Sequence, residues 1–377
     1  MREYIVLVSK DHYNPVGIVR SLGEAGIRPI VVVVKTDPQL VTKSKYVKKK
    51  HIVDSIEEGI NLVIEEYTNP NKNEKNVILT GDDVTVMNLD ANYEILKDNF
   101  HFYNAGQTGR IREYMNKDKL NALAIECGFN VAKTWKVNVG DIPTDIKFPI
   151  MTKAINSFGK EWKDIVYICN SVEELKKAYS KIKSEAILLQ EYINKIDELS
   201  YEGISIDHGK QCLFTMIFGQ EYTIKDKYTP YWNAKNFDDE DFRVKASKMI
   251  EAIGLEGIFE FEFMKDENGK LWFLEINFRN TVLGWATNVA GMSNVLMWCK
   301  SITENKLVEN WYKSIKPGFK AMAECFDYDA RVKEGLISKK EWKREYKLVD
   351  AKLYKGRHDF RPFFSFMWYK YRHRKSK

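Results

Sequence analysis

The chain has 377 residues, of which 44% are apolar and 13% aromatic, enough for two or three domains at roughly 150 residues each. This composition excludes an intrinsically disordered chain, and no apolar run approaches the roughly 18 residues of a membrane-spanning helix. The net charge is +6, and the nine basic residues from Lys352 to Lys377, set against the single acid Asp359, more than account for it. The remainder is close to neutral, which argues against a general nucleic-acid binder.

The cysteines and histidines show no metal-binding pattern. The five cysteines are odd in number, widely spaced and without a CxxC pair, and no two of the six histidines stand at metal-ligand spacing. These features argue against a disulfide framework and a zinc site, and they favour a reducing compartment. The apolar run at residues 5–8 is too short for the core of a signal peptide, so we expect a cytoplasmic protein.

The first third of the sequence alternates short apolar runs with amphipathic segments. Residues 5–8, 30–34 and 77–80 are predicted strands, and residues 15–26 and 55–67 are predicted helices. This alternation predicts an open α/β sheet. No GxGxxG follows the first strand and no GxxxxGK[ST] is present, so dinucleotide and P-loop sites lose their main support.

Two acids stand where such a sheet places its ligands. Gly81-Asp82-Asp83 follows the third predicted strand, and open sheets bind ligands at the carboxyl ends of their strands. The alternative is that one of the two acids is a helix N-cap.

From about residue 113 the pattern changes to mostly antiparallel strands. A helix is predicted over 117–127, and another over 241–253. The predicted strands are 150–154, 165–169, 187–190, 199–207 and 211–218, followed by a hairpin over 258–277.

The hairpin carries the clearest chemical pattern. Because side chains alternate along a strand, Glu260 and Glu262 share one face, and Glu275, Asn277 and Arg279 share one face of the returning strand together with Phe273. A four-residue turn at 267–270 places Glu262 opposite Glu275 and Glu260 opposite Asn277. The same register pairs the apolar residues behind them, Phe261 with Ile276 and Phe263 with Leu274.

Two acids facing each other across a sheet repel unless a cation lies between them. Two Glu side chains and an Asn amide are hard oxygen ligands of the kind that Mg²⁺ or Mn²⁺ prefers. Arg279 on the same face predicts a contact with a phosphate or a carboxylate. The alternative is a solvated hairpin with incidental acids.

This hairpin resembles the metal-binding hairpin of the ATP-grasp superfamily, which includes D-alanine–D-alanine ligase and biotin carboxylase. The resemblance rests on Glu262 and, thirteen residues later, Glu275-Ile276-Asn277 followed by Arg279. It implies that Glu262, Glu275 and Asn277 hold the Mg²⁺ (or Mn²⁺) ions that bridge the phosphates of ATP. It also implies an open α/β domain over 1–112, an ATP-grasp domain with antiparallel sheets over 113–300 (lid subdomain about 130–195) and a C-terminal extension over 301–377.

Other positions match the same family in the same order. Lys119 resembles the first phosphate-contacting lysine, and Lys153 resembles the second. Glu198 matches the carboxylate that binds the ribose hydroxyls, while Glu202 and Glu260 either join the site or are structural. The adenine-reading linker is matched by Gln190, Glu191, Tyr192 and Ile193. The loop at 156–163 takes the place of the glycine-rich lid but contains only Gly159, which departs from the family pattern.

The opening segment, residues 9–23, is similar to that of D-aspartate ligases and related carboxylate–amine ligases. The resemblance implies an ADP-forming enzyme that activates a carboxylate as an acyl phosphate and joins it to an amine, with Lys153 and Arg279 as catalytic residues. Superfamily members are often dimers, which implies a homodimer. The alternative is a nucleotide-binding module, a sensor or scaffold, without turnover.

The last 26 residues interleave aromatic and basic side chains. Eight aromatic residues stand among the nine basic ones between Lys352 and Lys377. We expect the aromatics to pack on the body of the protein. The alternatives are peripheral contact with a membrane interface and binding to single-stranded nucleic acid.

Overall fold

The computed structural model describes residues 2–69, 74–155, 165–224, 229–308 and 313–373, which are built around three sheets. The predicted lid loop at 156–163 lies outside these ranges. Within them, no helix combines the length and the apolar character needed to cross a membrane.

The first sheet is parallel and has helices packed on it. Its strands are β1 (Tyr4–Val8), β2 (Ile30–Val34), β3 (Lys49–Val53), β4 (Asn76–Leu79) and β5 (Phe100–His101). The helices of this region are α1 (Tyr13–Glu24), α2 (Ile56–Tyr67), α3 (Asp83–Ala91) and α4 (Tyr93–Leu96). The strand order is β3-β2-β1-β4-β5, and the central strands are buried because neither face meets solvent. The predicted open α/β sheet is therefore confirmed.

The second sheet is small and antiparallel. Helices α5 (Arg110–Tyr114) and α6 (Lys117–Glu126) lead into it. It consists of β6 (Thr134–Asn138), β7 (Ile150–Lys153), β8 (Ile168–Cys169) and β9 (Ala186–Glu191), in the order β6-β9-β7-β8, with α7 (Val172–Tyr179) beside it. Its buried side chains, which include Ile150, Leu175 and Leu189, form a separate apolar core.

The third sheet has seven strands and carries the hairpin. The strands are β10 (Lys195–Ile206), β11 (Gln211–Gln220), β12 (Tyr231–Asn236), β13 (Gly257–Asp266), β14 (Leu271–Asn277), β15 (Phe319–Met322) and β16 (Ala351–Lys352). Helices α8 (Glu240–Ile253), α9 (Gly284–Ala290) and α10 (Asn294–Glu304) belong to the same region. The order β14-β13-β10-β11-β12-β15-β16 shows that residues after 300 continue this sheet.

One face of the large sheet is an aromatic core. Tyr201 stacks on Phe242 of α8 with ring centroids 3.8 Å apart, and Phe242 meets Phe261 edge-on at 5.6 Å. Phe129 packs against Phe263 at 5.2 Å. Because side chains alternate along each strand, burial of these rings turns the acids of the hairpin to the other face.

The C-terminal segment is fixed to the first sheet by a buried arginine. Arg20 of α1 donates to the carbonyl oxygens of Leu353 (3.1 Å), Tyr354 (2.9 Å) and Asp359 (2.8 Å). Around this anchor lie α11 (Glu324–Asp327), a π-helical segment (Tyr328–Lys333), α12 (Lys339–Leu348) and α13 (Arg361–Arg372).

The aromatic residues of α13 divide between two environments. Phe363 and Phe366 pack against the main core, as expected from the sequence. The expectation is wrong for Phe364, Trp368 and Tyr371, which are 65%, 56% and 63% exposed. A helix spreads its side chains around the full circle, so a run this rich in aromatics cannot bury all of them against one surface.

Candidate active site

The register of the hairpin places the predicted acids face to face. Glu262 lies opposite Glu275, and Glu260 lies opposite Asn277, as predicted. The predicted four-residue turn is wrong, because Leu271 pairs with Lys265 and not with Asp266. The predicted pair of Phe263 with Leu274 is wrong, because a β-bulge after Glu262 sets Phe263 opposite Phe273.

The bulge also changes which face Phe273 occupies. Its ring is buried and meets the rings of Phe261 and Phe263 at 6.4 and 5.6 Å, so it belongs to the aromatic core and does not share a face with Glu275. The extra residue lets the strand bury Phe273 while Glu275 and Asn277 still face the acids of β13.

Asn277 ties the acidic face together. Its Nδ2 donates to Oε2 of Glu260 and to Oε1 of Glu262, at 2.8 Å in both cases. Its Oδ1 accepts a hydrogen bond of 3.0 Å from Nη2 of Arg279. Glu260, Glu262, Asn277 and Arg279 therefore form one connected polar cluster, and Glu275 lies opposite Glu262 beside it.

Strand β10 extends the same face. Ser200 lies opposite Glu262, and Glu202 lies opposite Glu260. Glu198, two residues before Ser200, therefore points to the same face. Glu202 is fully buried, and Glu198 accepts a hydrogen bond of 2.8 Å from Nε2 of Gln220. The predicted ribose ligand and the predicted metal ligands thus share one surface.

Glu202 has two hydrogen-bond donors of its own. Its carboxylate accepts from the hydroxyl of Thr281 at 2.6 Å and from Nδ2 of Asn294 at 2.9 Å. These partners hold Glu202 in place below the cluster, which indicates a supporting role.

The acids of the cluster resist ionisation. Burial raises the pKa of Glu260 and of Glu262, and repulsion raises both further, from Glu202 on Glu260 and from Glu260 and Glu275 on Glu262. Burial also raises the pKa of Glu202, although its bonds to Thr281 and Asn294 oppose the shift. Carboxylates gathered in this way bind a cation favourably, because the cation relieves their mutual repulsion.

The oxygen ligands of the hairpin fit Mg²⁺ better than a metal whose coordination shell consists only of protein side chains. In the described ranges, no three His, Cys, Asp or Glu side chains converge as a metal-binding group. Glu262, Glu275 and Asn277 offer oxygen ligands from two strands, and Mg²⁺ usually completes its shell with water and phosphate oxygens. The residues present are therefore compatible with a magnesium–nucleotide site.

Lys153, the last residue of β7, brings a half-buried cation towards the acidic face. Burial lowers its pKa to about 8, the charge of Lys117 lowers it as well, and the charge of Glu275 opposes the shift. Its ammonium donates to Oε1 of Gln190, whose Nε2 donates to the hydroxyl of Thr134 at 2.9 Å. A half-buried ammonium with one neutral partner is well suited to accept an anionic ligand.

The structure brings Lys117, and not Lys119, to the acidic face. Lys117 Nζ lies 3.9 Å from Oε2 of Glu275. Lys119 pairs with Glu113, and its ammonium lies 5.1 Å from the ring centroid of Tyr114. Side chains two positions apart on a helix point about 200° apart, so Lys117 and Lys119 face opposite ways. The helical periodicity of the sequence already indicates that only one of the two can reach the site. The phosphate contact of Lys119 stays a prediction, and Lys117 is an additional candidate for that contact.

The predicted adenine linker lies at the end of β9. The amide of Glu191 donates to the carbonyl of Lys133 at 2.8 Å, and the amide of Tyr192 donates to that of Pro149 at 3.1 Å. Ile193 follows and is buried. Because two amides of the linker already have partners, its part in reading adenine stays a prediction.

Arg279 connects the acidic face to the parallel sheet. Its Nε and Nη2 bind the carboxylate of Asp83 at 2.6 and 3.1 Å, in a bidentate ion pair. Asp82 instead caps α3, accepting the amide of Thr85 at 2.8 Å. The helix-cap alternative therefore holds for Asp82, and Asp83 marks the edge of the site.

The first turn of α1 meets the segment that follows the hairpin, beside Arg279. Asn14 Nδ2 donates to the carbonyls of Gly81 (2.8 Å) and Asn280 (2.9 Å), and a Cβ on Gly81 would lie 2.7 Å from that amide. Burial, and secondly the charge of Arg279, lower the pKa of His12 to about 4. No spacing in the sequence indicated that these segments meet.

Comparison with known proteins identifies the fold. No protein-family model matches the chain, and no curated protein matches it significantly. Solved structures do match it. N5-carboxyaminoimidazole synthetase from Staphylococcus aureus, complexed with ADP, shares 15% identity at a TM-score of 0.65, over 89% of this chain and 87% of that chain.

Two further structures agree. L-amino acid ligase from Bacillus licheniformis shares 13% identity at a TM-score of 0.58, over 80% of this chain and 74% of that chain. Pyruvate carboxylase from Rhizobium etli shares 16% identity at a TM-score of 0.61, and the match covers 82% of this chain but only 30% of the carboxylase. The chain therefore has the fold of the ATP-grasp ligases.

Proposed function

We propose that this protein is an ATP-dependent ligase that joins a carboxylate to an amine and releases ADP. The observation that carries the proposal is the cluster in which Glu262 faces Glu275, with Asn277 and Arg279 on the same surface and Lys153 approaching from the second sheet. Such a cluster combines a hard-cation site with positive charges around it, which suits a nucleotide triphosphate.

Each side chain has a defined task in this proposal. Glu262, Glu275 and Asn277 would hold Mg²⁺ or Mn²⁺, which neutralises charge on the phosphates of ATP when bound. Lys153 balances negative charge as the γ-phosphoryl group moves to the substrate carboxylate, and Arg279 steadies the resulting acyl phosphate until the amine displaces phosphate. Glu198 is the proposed ribose ligand, and residues 190–193 are the proposed adenine linker.

The thiols support a proposal about the cellular setting. All five cysteines are free, and four of them are buried. Unpaired thiols suit a reducing compartment, so we propose a cytoplasmic enzyme acting on small-molecule or precursor substrates.

The proposed ligase activity can be tested by measuring turnover. The wild-type protein is mixed with ATP, Mg²⁺ and a matrix of carboxylates and amines, and ADP formation is measured. The most active pair is then tested with Glu275→Gln, which removes one carboxylate charge from the cation site. We expect a loss of about 10²-fold or more, the scale of removing one electrostatic contact from a transition state.

The matched control is Glu267→Gln, in the exposed turn of the same hairpin, which should keep the wild-type rate. Equal activity of the Glu275→Gln variant and the wild-type protein would refute the assignment. Nucleotide binding without turnover across the whole matrix would instead favour the sensor or scaffold, and no binding of nucleotide with Mg²⁺ would exclude both.

A further inference from the structure

The outer side of α13, together with the residue before it, presents a continuous apolar stripe. Five side chains form it, and their exposed fractions are 40% for Phe360, which caps the helix, 65% for Phe364, 39% for Met367, 56% for Trp368 and 63% for Tyr371. With 3.6 residues per turn, they fall within an arc of about 100° and extend over about 17 Å. A contiguous exposed patch of this kind marks an interaction surface.

The stripe cannot turn inward, because the opposite side of α13 is already packed. Phe366 stacks on Tyr354 with ring centroids 4.6 Å apart, and Phe363 contacts the main core. Lys370 is paired with Asp329 at 2.7 Å. The helix is therefore held with its apolar stripe facing outward.

Helix α12 places positive charge next to this stripe. Its exposed basic residues are Lys339, Lys340, Lys343, Arg344 and Lys347. None of them forms an ion pair with a carboxylate in the described ranges. Lys339 lines the same cleft of about 590 Å³ as Met367 and Tyr371, so the row of cations begins at the edge of the stripe.

We propose that these two surfaces together, the stripe of α13 and the five cations of α12, dock on an anionic lipid bilayer. An aromatic, apolar helix face enters the headgroup region, where the polar edges of Trp368 and Tyr371 stay hydrated. The cations of α12 then meet acidic headgroups. This aromatic–basic face would hold the protein at a membrane without any spanning segment.

Two other binding partners fit this surface less well than a lipid bilayer does. A second copy of the chain would bring ten cations together across one interface, which like-charge repulsion opposes. Proteins that bind single-stranded nucleic acid hold it in a basic groove lined by stacking rings. Here the stripe lies on the convex outer side of a helix, and Met367 has no ring to stack.

The test uses the full-length protein and sedimented vesicles. One set contains phosphatidylcholine alone, and the other contains phosphatidylcholine with 30% phosphatidylglycerol, a composition chosen to supply negative charge. We expect binding to the anionic vesicles at least tenfold stronger than to the neutral ones, and weaker binding as salt is added.

Two variants separate the contributions of charge and apolar contact. Lys340→Glu/Lys343→Glu/Lys347→Glu reverses the charge of α12, and Phe364→Ser/Trp368→Ser interrupts the stripe; each should reduce partitioning at least tenfold. The matched controls are Lys176→Glu/Lys177→Glu/Lys183→Glu and Ile95→Ser/Val244→Ser, which change exposed residues elsewhere. Both controls should partition like the wild type.

Depth of insertion gives an independent measurement. Brominated lipids should quench tryptophan emission of the wild type, and Trp368→Phe should lose most of that quenching. Equal partitioning of the wild type and both face variants, or no preference for anionic vesicles, would overturn the proposal. So would a single-stranded RNA that binds through the same residues and prevents vesicle binding.

Discussion

Lys153 shows how one half-buried charge can be adapted to an anionic ligand. Its pKa is lowered to about 8 by burial and by Lys117, so the free protein loses this charge just above neutral pH. A bound phosphate would favour the protonated form, which couples nucleotide binding to the protonation of this side chain.

This coupling predicts a pH dependence. Below pH 8 the ammonium of Lys153 is already charged and adds no pH dependence to ADP affinity; above pH 8 binding must also take up a proton there, which lowers affinity by up to about tenfold per pH unit. Because the pKa values of Glu260 and Glu262 are raised, ionisation of these acids adds to the decline. Calorimetric titration with metal-free ADP between pH 7.5 and 9.5 measures the combined effect. Lys153→Arg, which stays charged throughout, should make the decline shallower; an unchanged decline in that variant would assign it to the acids.

At the scale of single elements, β10 depends on a glycine. The register of β10 with β11 shifts between Glu202 and Gly203, and a Cβ on Gly203 would lie 2.5 Å from the ring of Phe259 and 2.8 Å from the carbonyl oxygen of Leu213. The backbone oxygen cannot move aside as a side-chain tip can. The glycine therefore keeps Glu202 and the neighbouring strands in register.

Gly203→Ala should destabilise the protein by about 1–3 kcal/mol, the usual cost of overpacking a core. The midpoint of urea unfolding measures the effect. Lys210→Ala, exposed in the turn after β10, is the control and should change stability by less than about 0.5 kcal/mol. A stable Gly203→Ala protein would show that the strand has room to shift.

The elements that sequence predicts well are those whose pattern is local. The alternation of Glu260, Phe261 and Glu262 predicts which side chains share a face. The register near the turn and the bulge that corrects it depend on how Phe273 packs in three dimensions. Strand β3 is missed because it begins with the exposed Lys49 and Lys50, which look like a loop.

The candidate site follows the same rule, that only local patterns can be predicted. The alternation of side chains along β14 predicts that Glu275 and Asn277 share a face, whereas the pairing of Arg279 with Asp83 requires the two sheets to meet.

Considered as a whole, the molecule is held together by contacts between distant parts of the chain. Arg20 reaches the segment around Tyr354 and Asp359, and its Nε lies 3.6 Å from the carboxylate of Asp359. The guanidinium is almost completely buried, so its loss would leave carbonyl groups without their donor and Asp359 without its ion-pair partner, although the amide of Lys45 still donates to Oδ1 of Asp359 at 3.0 Å.

Arg20→Ala should therefore destabilise the protein by about 3–5 kcal/mol and loosen the C-terminal segment. Thermal unfolding measures the first effect, and faster tryptic cleavage after Arg357 measures the second. Arg28→Ala, an exposed arginine just beyond the same helix, should leave both unchanged. Wild-type cleavage kinetics in Arg20→Ala would show that other contacts hold the segment.

The place of β15 and β16 in the large sheet has a practical consequence for shortened versions of the protein. β15 forms its hydrogen bonds with β12, from Tyr231 paired with Met322 to Ala234 paired with Phe319. Truncation before residue 319 would strip β12 of that neighbour and leave a row of unsatisfied amides and carbonyls, which promotes edge-to-edge aggregation. A fragment cut at residue 300 would therefore precipitate more readily than one that extends beyond residue 352.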